Sequence, residues 1–122
     1  MPFMSVRIGP DDTSRLLGIL QGHRGKDRAI TSRELAKRLN LSTREVREIV
    51  AQLVGDGELI GASVAGVDGG FYLIESEADL EETRAILRSR ASKIFNRDRD
   101  LCKAWIRRHG RLLQPLLPGV EG

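Results

Sequence analysis

Apolar residues recur along this chain in two different periods, and the change from one to the other divides it. Leu16, Leu17, Ile19 and Leu20 stand three and four residues apart, which predicts a short amphipathic helix opened by the acidic start Pro10-Asp11-Asp12 and closed by Gly22 and Gly25. Arg28-Ala29-Ile30 leaves room for a single ladder contact. Leu35, Ala36 and Leu39 then form the inner face of a second helix, and Val46, Ile49, Val50, Leu53 and Val54 that of a third, ended by Gly55-Asp56-Gly57. After that the period shortens. Residues 58–64 and 71–75 are short runs rich in branched and aromatic side chains around the turn material of 66–70, which predicts a β-hairpin with Phe71, Leu73 and Leu59 or Ile60 turned to the core.

Two helix starts are marked twice over. Thr31 with Glu34 and, eleven residues on, Ser42 with Glu45 carry the capping-box spacing, in which the hydroxyl accepts the amide three residues ahead and the carboxylate reaches back to the first amide. Ser76-Glu77-Ala78-Asp79 caps a fourth helix, and since neither proline nor glycine interrupts 77–109, that helix can reach 33 residues. Leu80, Leu87, Ile94 and Leu101 stand at intervals of seven, and Ile86, Ala91, Phe95, Cys102, Trp105 and Ile106 widen them into a stripe. Asn96-Arg97-Asp98-Arg99-Asp100 is polar enough to permit a kink or fraying. Beyond it, Pro115, Pro118 and Gly119 stop any helix, while Leu112, Leu113, Leu116 and Leu117 make the tail apolar.

Composition narrows the class. The 122 residues are 40% hydrophobic and 30% charged, the balance of one soluble globular domain with an appendage. No apolar run approaches the roughly 20 residues of a membrane span, and the first residues lack the plan of a secretory signal, so a cytoplasmic protein is expected. The net charge of +3 conceals a segregation: positions 84–111 sum to +8 and the first 83 residues to −4. The single cysteine, Cys102, has no disulfide partner and no histidine pair for zinc, and reads as a half-buried small apolar residue. His23 and His109 lack ligand-spaced companions, and 66–70 lacks the lysine and the following helix of a nucleotide loop. Neither a metal, a cofactor nor an enzymatic activity is expected.

Helix, short strand, helix, tight turn, helix and hairpin is an order that, with Ile30-Thr31-Ser32-Arg33-Glu34-Leu35-Ala36-Lys37-Arg38-Leu39-Asn40-Leu41-Ser42-Thr43-Arg44-Glu45-Val46-Arg47, resembles the winged helix-turn-helix of bacterial and phage DNA-binding proteins. Ala36 is the small residue that admits the next helix, Leu39 and Leu41 fill the corner, and Val46 anchors the recognition helix. The resemblance covers about residues 12 to 75. It implies an α+β, mainly α fold: a winged helix at 12–75 after an N-terminal arm at 1–11, followed by a long basic helix at 76–109 and a tail at 110–122.

The same resemblance implies sequence-specific binding of double-stranded DNA in a bacterial or phage-infected cell, as a transcription regulator. A replication or packaging accessory protein and a winged-helix protein-interaction module are the alternatives. Thr43, Arg44 and Arg47, with Glu48 or Gln52, would face the major groove, where the arginine fork suits guanine. Ser42 and Thr43 would meet a phosphate at the positive helix end, and Arg28, Arg33 and Lys37 would follow the backbone, with Arg24, Lys26 and Arg38 adding local positive charge. The hairpin tip, 63–70, carries Asp68 and neither lysine nor arginine, which speaks against minor-groove reading. Arg90, Lys93 and Arg97 are candidates for DNA-backbone or protein contacts, and Leu80, Leu87, Ile94 and Leu101 for the seam of a homodimer, although Thr83, Arg90 and Arg97 at the alternate positions weaken an extended coiled coil. Trp105 is expected to pack rather than stack on bases. The tail around Leu112–Leu117 would serve as a docking peptide in the protein-interaction reading.

Overall fold

In a computed structural model that describes residues 9–64 and 69–110, the helical spacings become α1 (Pro10–Leu20), α2 (Ser32–Leu39), α3 (Thr43–Gly55) and α4 (Glu77–His109). The strands are β1 (Ile30–Thr31), β2 (Ile60–Ser63) and β3 (Gly70–Leu73). The chain is α+β and mainly helical. The arm at 1–8, the centre of the hairpin tip at 65–68 and the tail from 111 lie outside the described residues.

Each helix starts where its first turn can satisfy itself. Pro10 occupies the first helical position of α1, where no amide hydrogen is needed, and the Asp12 carboxylate accepts the Gly9 amide at 3.1 Å. Ser76 Oγ accepts the Asp79 amide at 3.1 Å at the start of α4. That helix runs its full possible length of 33 residues, through Asn96–Asp100, because nothing in the stretch removes an amide or fixes a non-helical dihedral. Thr31 Oγ1 accepts the Glu34 amide as expected, but the Glu34 carboxylate does not return to close the box. It accepts Arg38 Nε at 3.0 Å instead, a cation one turn ahead on the same face.

The sheet is antiparallel, in the order β1-β3-β2, with Ile30 opposite Phe71 and Ala62 opposite Phe71 from the other side. Leu16, Leu20, Ile30, Leu35, Leu39, Val46, Ile49, Leu53, Ile60 and Leu73 form one buried cluster between α1, α2, α3 and the sheet. Phe71 is half-buried against that cluster, whereas Leu59 is exposed and Ile60 takes the inward place. The opposite face of β3 is covered too. Tyr72 is completely buried there, its ring lying over Gly61 so closely that a side chain at Gly61 would overlap it. The Tyr72 hydroxyl lies 3.3 Å from Thr83 Oγ1 in α4, and Thr83 Oγ1 accepts the Ala62 amide at 3.0 Å. A helix hydroxyl thus closes the open edge of β2.

Two compact units divide between Arg84 and Ala85, inside α4. The first includes the sheet, α1 to α3 and the opening turns of α4. The second, over its described residues, is the remainder of α4, on which Leu87, Ile94, Phe95, Leu101 and Trp105 are exposed. Cys102 is half-buried, and the Trp105 ring stacks on His109 with centroids 3.8 Å apart.

Candidate nucleic-acid interface

The turn between α2 and α3 is built from local chemistry. Asn40 ends α2 in the left-handed region at φ 58°, a conformation that asparagine tolerates better than most residues, and the Leu41 amide donates back to the Ala36 carbonyl at 3.0 Å. Ser42 then opens α3 with a complete capping box: its Oγ accepts the Glu45 amide at 3.1 Å and its own amide donates to Glu45 Oε1 at 2.9 Å. The Ser42 amide and hydroxyl lone pair are therefore committed within the turn. By helix geometry the amides of Thr43 and Arg44 are the ones at the open end of α3.

Because Val46, Ile49, Val50 and Leu53 are buried, the rotation of α3 about its axis is fixed and its outward face is determined. That face carries Arg44, whose side chain is 86% exposed, with Arg47 three residues on and Ala51 beyond it. Thr43 is half-buried at the first helical position, and Gln52 is exposed to the side. Glu48 sits one turn after Arg44, with its Oε2 3.8 Å from Arg44 Nε. Glu48 Oε1 is buried without a hydrogen-bond partner. Val54, expected to face inward, is 47% exposed: one residue past Leu53 is a rotation of about 100°, which carries it to the rim of the buried face. Ala51 was not anticipated as part of the outward face, yet its place seven residues after Arg44 and four after Arg47 puts it on that stripe.

The surrounding cations separate into two sets. Arg38 is held by Glu34, Arg24 lies 3.6 Å from Glu75, and Lys26 lies 2.5 Å from Glu82. The Lys26 ammonium donates a hydrogen bond to the Glu82 carboxylate, and that bond together with the carboxylate's charge raises the Lys26 pKa above its ordinary value. These three each have a carboxylate partner. Arg28, Lys37 and Arg47 are exposed and, among the described residues, make no ion pair. Arg33 and Lys37 stand one turn apart on α2, and Arg28 ends a 3-10 turn, Lys26–Arg28, just before β1. The first unit thus carries Arg28, Arg33, Lys37, Ser42, Thr43, Arg44 and Arg47. Leu80 is half-buried in that unit, while Arg90, Lys93 and Arg97 are exposed on the second.

Among the described residues no group of three histidine, cysteine, aspartate or glutamate side chains is arranged to hold a metal ion, and no helix is long and apolar enough to cross a membrane. Comparison with protein-family profiles, curated proteins and solved structures finds no match.

Proposed function

We propose that the first unit is a winged helix-turn-helix that binds double-stranded DNA, with α3 as the recognition helix and a regulatory role in transcription. The observation that carries this reading is the outward face of α3, where Arg44 and Arg47 project from a helix whose opposite face is locked into the core. Arginine forks on such a face suit guanine O6 and N7, and the exposed methyl of Ala51 offers an apolar contact to thymine. Arg28, Arg33 and Lys37 supply phosphate contacts that set register without reading sequence. Glu48 beside Arg44 supports specificity, since a half-buried carboxylate at this face repels phosphate that approaches it out of register.

The test is binding of the full chain to random-sequence duplex DNA by fluorescence anisotropy at several salt concentrations, beside the Arg44→Ala/Arg47→Ala variant. Binding that weakens steeply with salt is expected, with the logarithmic slope falling by roughly 0.9 for each arginine that touches phosphate. Absence of binding at low salt, or a variant that binds like the parent, refutes the assignment.

A further inference from the structure

We infer that residues 85–109 of α4 are a self-association surface whose occupant is a second copy of this chain, paired antiparallel. At 100° per residue, Leu87, Ala91, Ile94, Asp98, Leu101 and Trp105 fall in one sector about 80° wide. Leu87, Ile94 and Leu101 are exposed there by 53%, 65% and 65%. Large apolar side chains repeating every seven residues on one face of a helix are the pattern that a second helix covers. Leu80 and Thr83 do not extend the stripe, because they are engaged in the first unit.

The charges choose both the occupant and its direction. Asp98 lies in the middle of the apolar sector, and Arg90 and Arg97 line one edge of it. In a parallel pair each Asp98 would meet its own copy, setting two carboxylates together in the seam. Reversing the second helix about Ile94 places Leu87 across from the second copy's Leu101 and Asp98 across from its Arg90. The same reversal opposes the dipoles of the two helical segments. The helix is therefore complementary to itself in one direction only. Within one chain Arg90 and Asp98 are separated by about 12 Å along the axis, more than two turns, so they answer each other only between copies.

Sedimentation equilibrium of the full chain, from low micromolar to several hundred micromolar, is expected to show a monomer–dimer equilibrium. Ile94→Asp should weaken it more than tenfold with helical circular dichroism retained at low concentration, since Ile94 is exposed and outside the buried core. Asp98→Arg should also weaken it at least tenfold, and Asp98→Arg/Arg90→Asp should restore it. Native Cys102 gives a second readout: reversed about Ile94, the two thiols are about 24 Å apart along the axis, so mild oxidation should not link the dimer. A monomer at every concentration, an Ile94→Asp dimer as tight as the parent, a double variant that fails to recover, or rapid Cys102 cross-linking overturns the inference. DNA binding by α3 is read separately, so either proposal can fail alone.

Discussion

Thr83→Val removes one oxygen from the structure and almost nothing else, since valine keeps the shape of the side chain. That oxygen is 3.0 Å from the Ala62 amide and 3.3 Å from the Tyr72 hydroxyl, in a residue only 7% exposed. Ala62 lies on β2, which pairs on one side only, so its outward amide depends on Thr83. A buried amide left without an acceptor costs about 1–3 kcal/mol. Tyr72 retains a weaker partner in the Asp79 carbonyl at 3.4 Å, which limits its share of the loss. The expected total is about 2 kcal/mol, or a fall in Tm of roughly 8–16 °C for a unit of this size. Near-UV circular dichroism of Tyr72, the chain's single tyrosine, reports the first unit during thermal and urea unfolding. Thr83→Ser, which keeps the oxygen, should lose less than half as much. A Thr83→Val protein within about 0.3 kcal/mol of the parent, far below the cost of an orphaned amide, would refute the reasoning. So would a serine variant as unstable as the valine one.

Ser42→Ala removes the acceptor of the Glu45 amide and should cost about 1 kcal/mol by urea denaturation with an unchanged m value. Gly61→Ala drives a methyl into the buried Tyr72 ring and should cost about 1–3 kcal/mol, whereas Gly18→Ala, in α1 with open space beside it, should gain about 0.5–1 kcal/mol. If both change stability equally, the close approach at Gly61 is not what holds Tyr72. Lys37→Ala should weaken binding uniformly across duplex sequences and lower the salt slope by roughly 0.9, a result that sequence-dependent loss in anisotropy titrations would contradict.

The helical part of the fold was legible because its signals are local. Leu16 and Leu20, Leu35 and Leu39, and Val46, Ile49 and Leu53 all lie inside as their spacing requires. The Ser42–Glu45 box involves only four consecutive residues, and α4 spans the interval free of proline and glycine. The candidate site was legible to the same depth: once Val46, Ile49 and Leu53 are inward, Arg44 and Arg47 must be outward. What escaped were contacts with a choice of partner. Glu34 had two acceptable donors, an amide behind and Arg38 ahead, and spacing does not rank them. Val54 lies at the angular edge of a face, where a small rotation of α3 decides its exposure. The Arg44–Glu48 pair, although spaced for a helix, gained its significance only when Glu48 proved half-buried.

Periodicity, caps and breakers therefore placed four helices and a hairpin along the chain, although the strands proved to be 60–63 and 70–73 rather than the full runs 58–64 and 71–75. Those signals depend on neighbours within a few residues along the chain. The three-dimensional structure decided that β3 lies between β1 and β2, that Tyr72 rather than Trp105 is the deeply buried aromatic, and that Thr83 closes the edge of β2. Thr83 is 21 residues from Ala62, and nothing between them carries a repeating signal that pairs the two. Such contacts arise from packing both faces of β3, a condition that exists only once α4 and the core have taken their places.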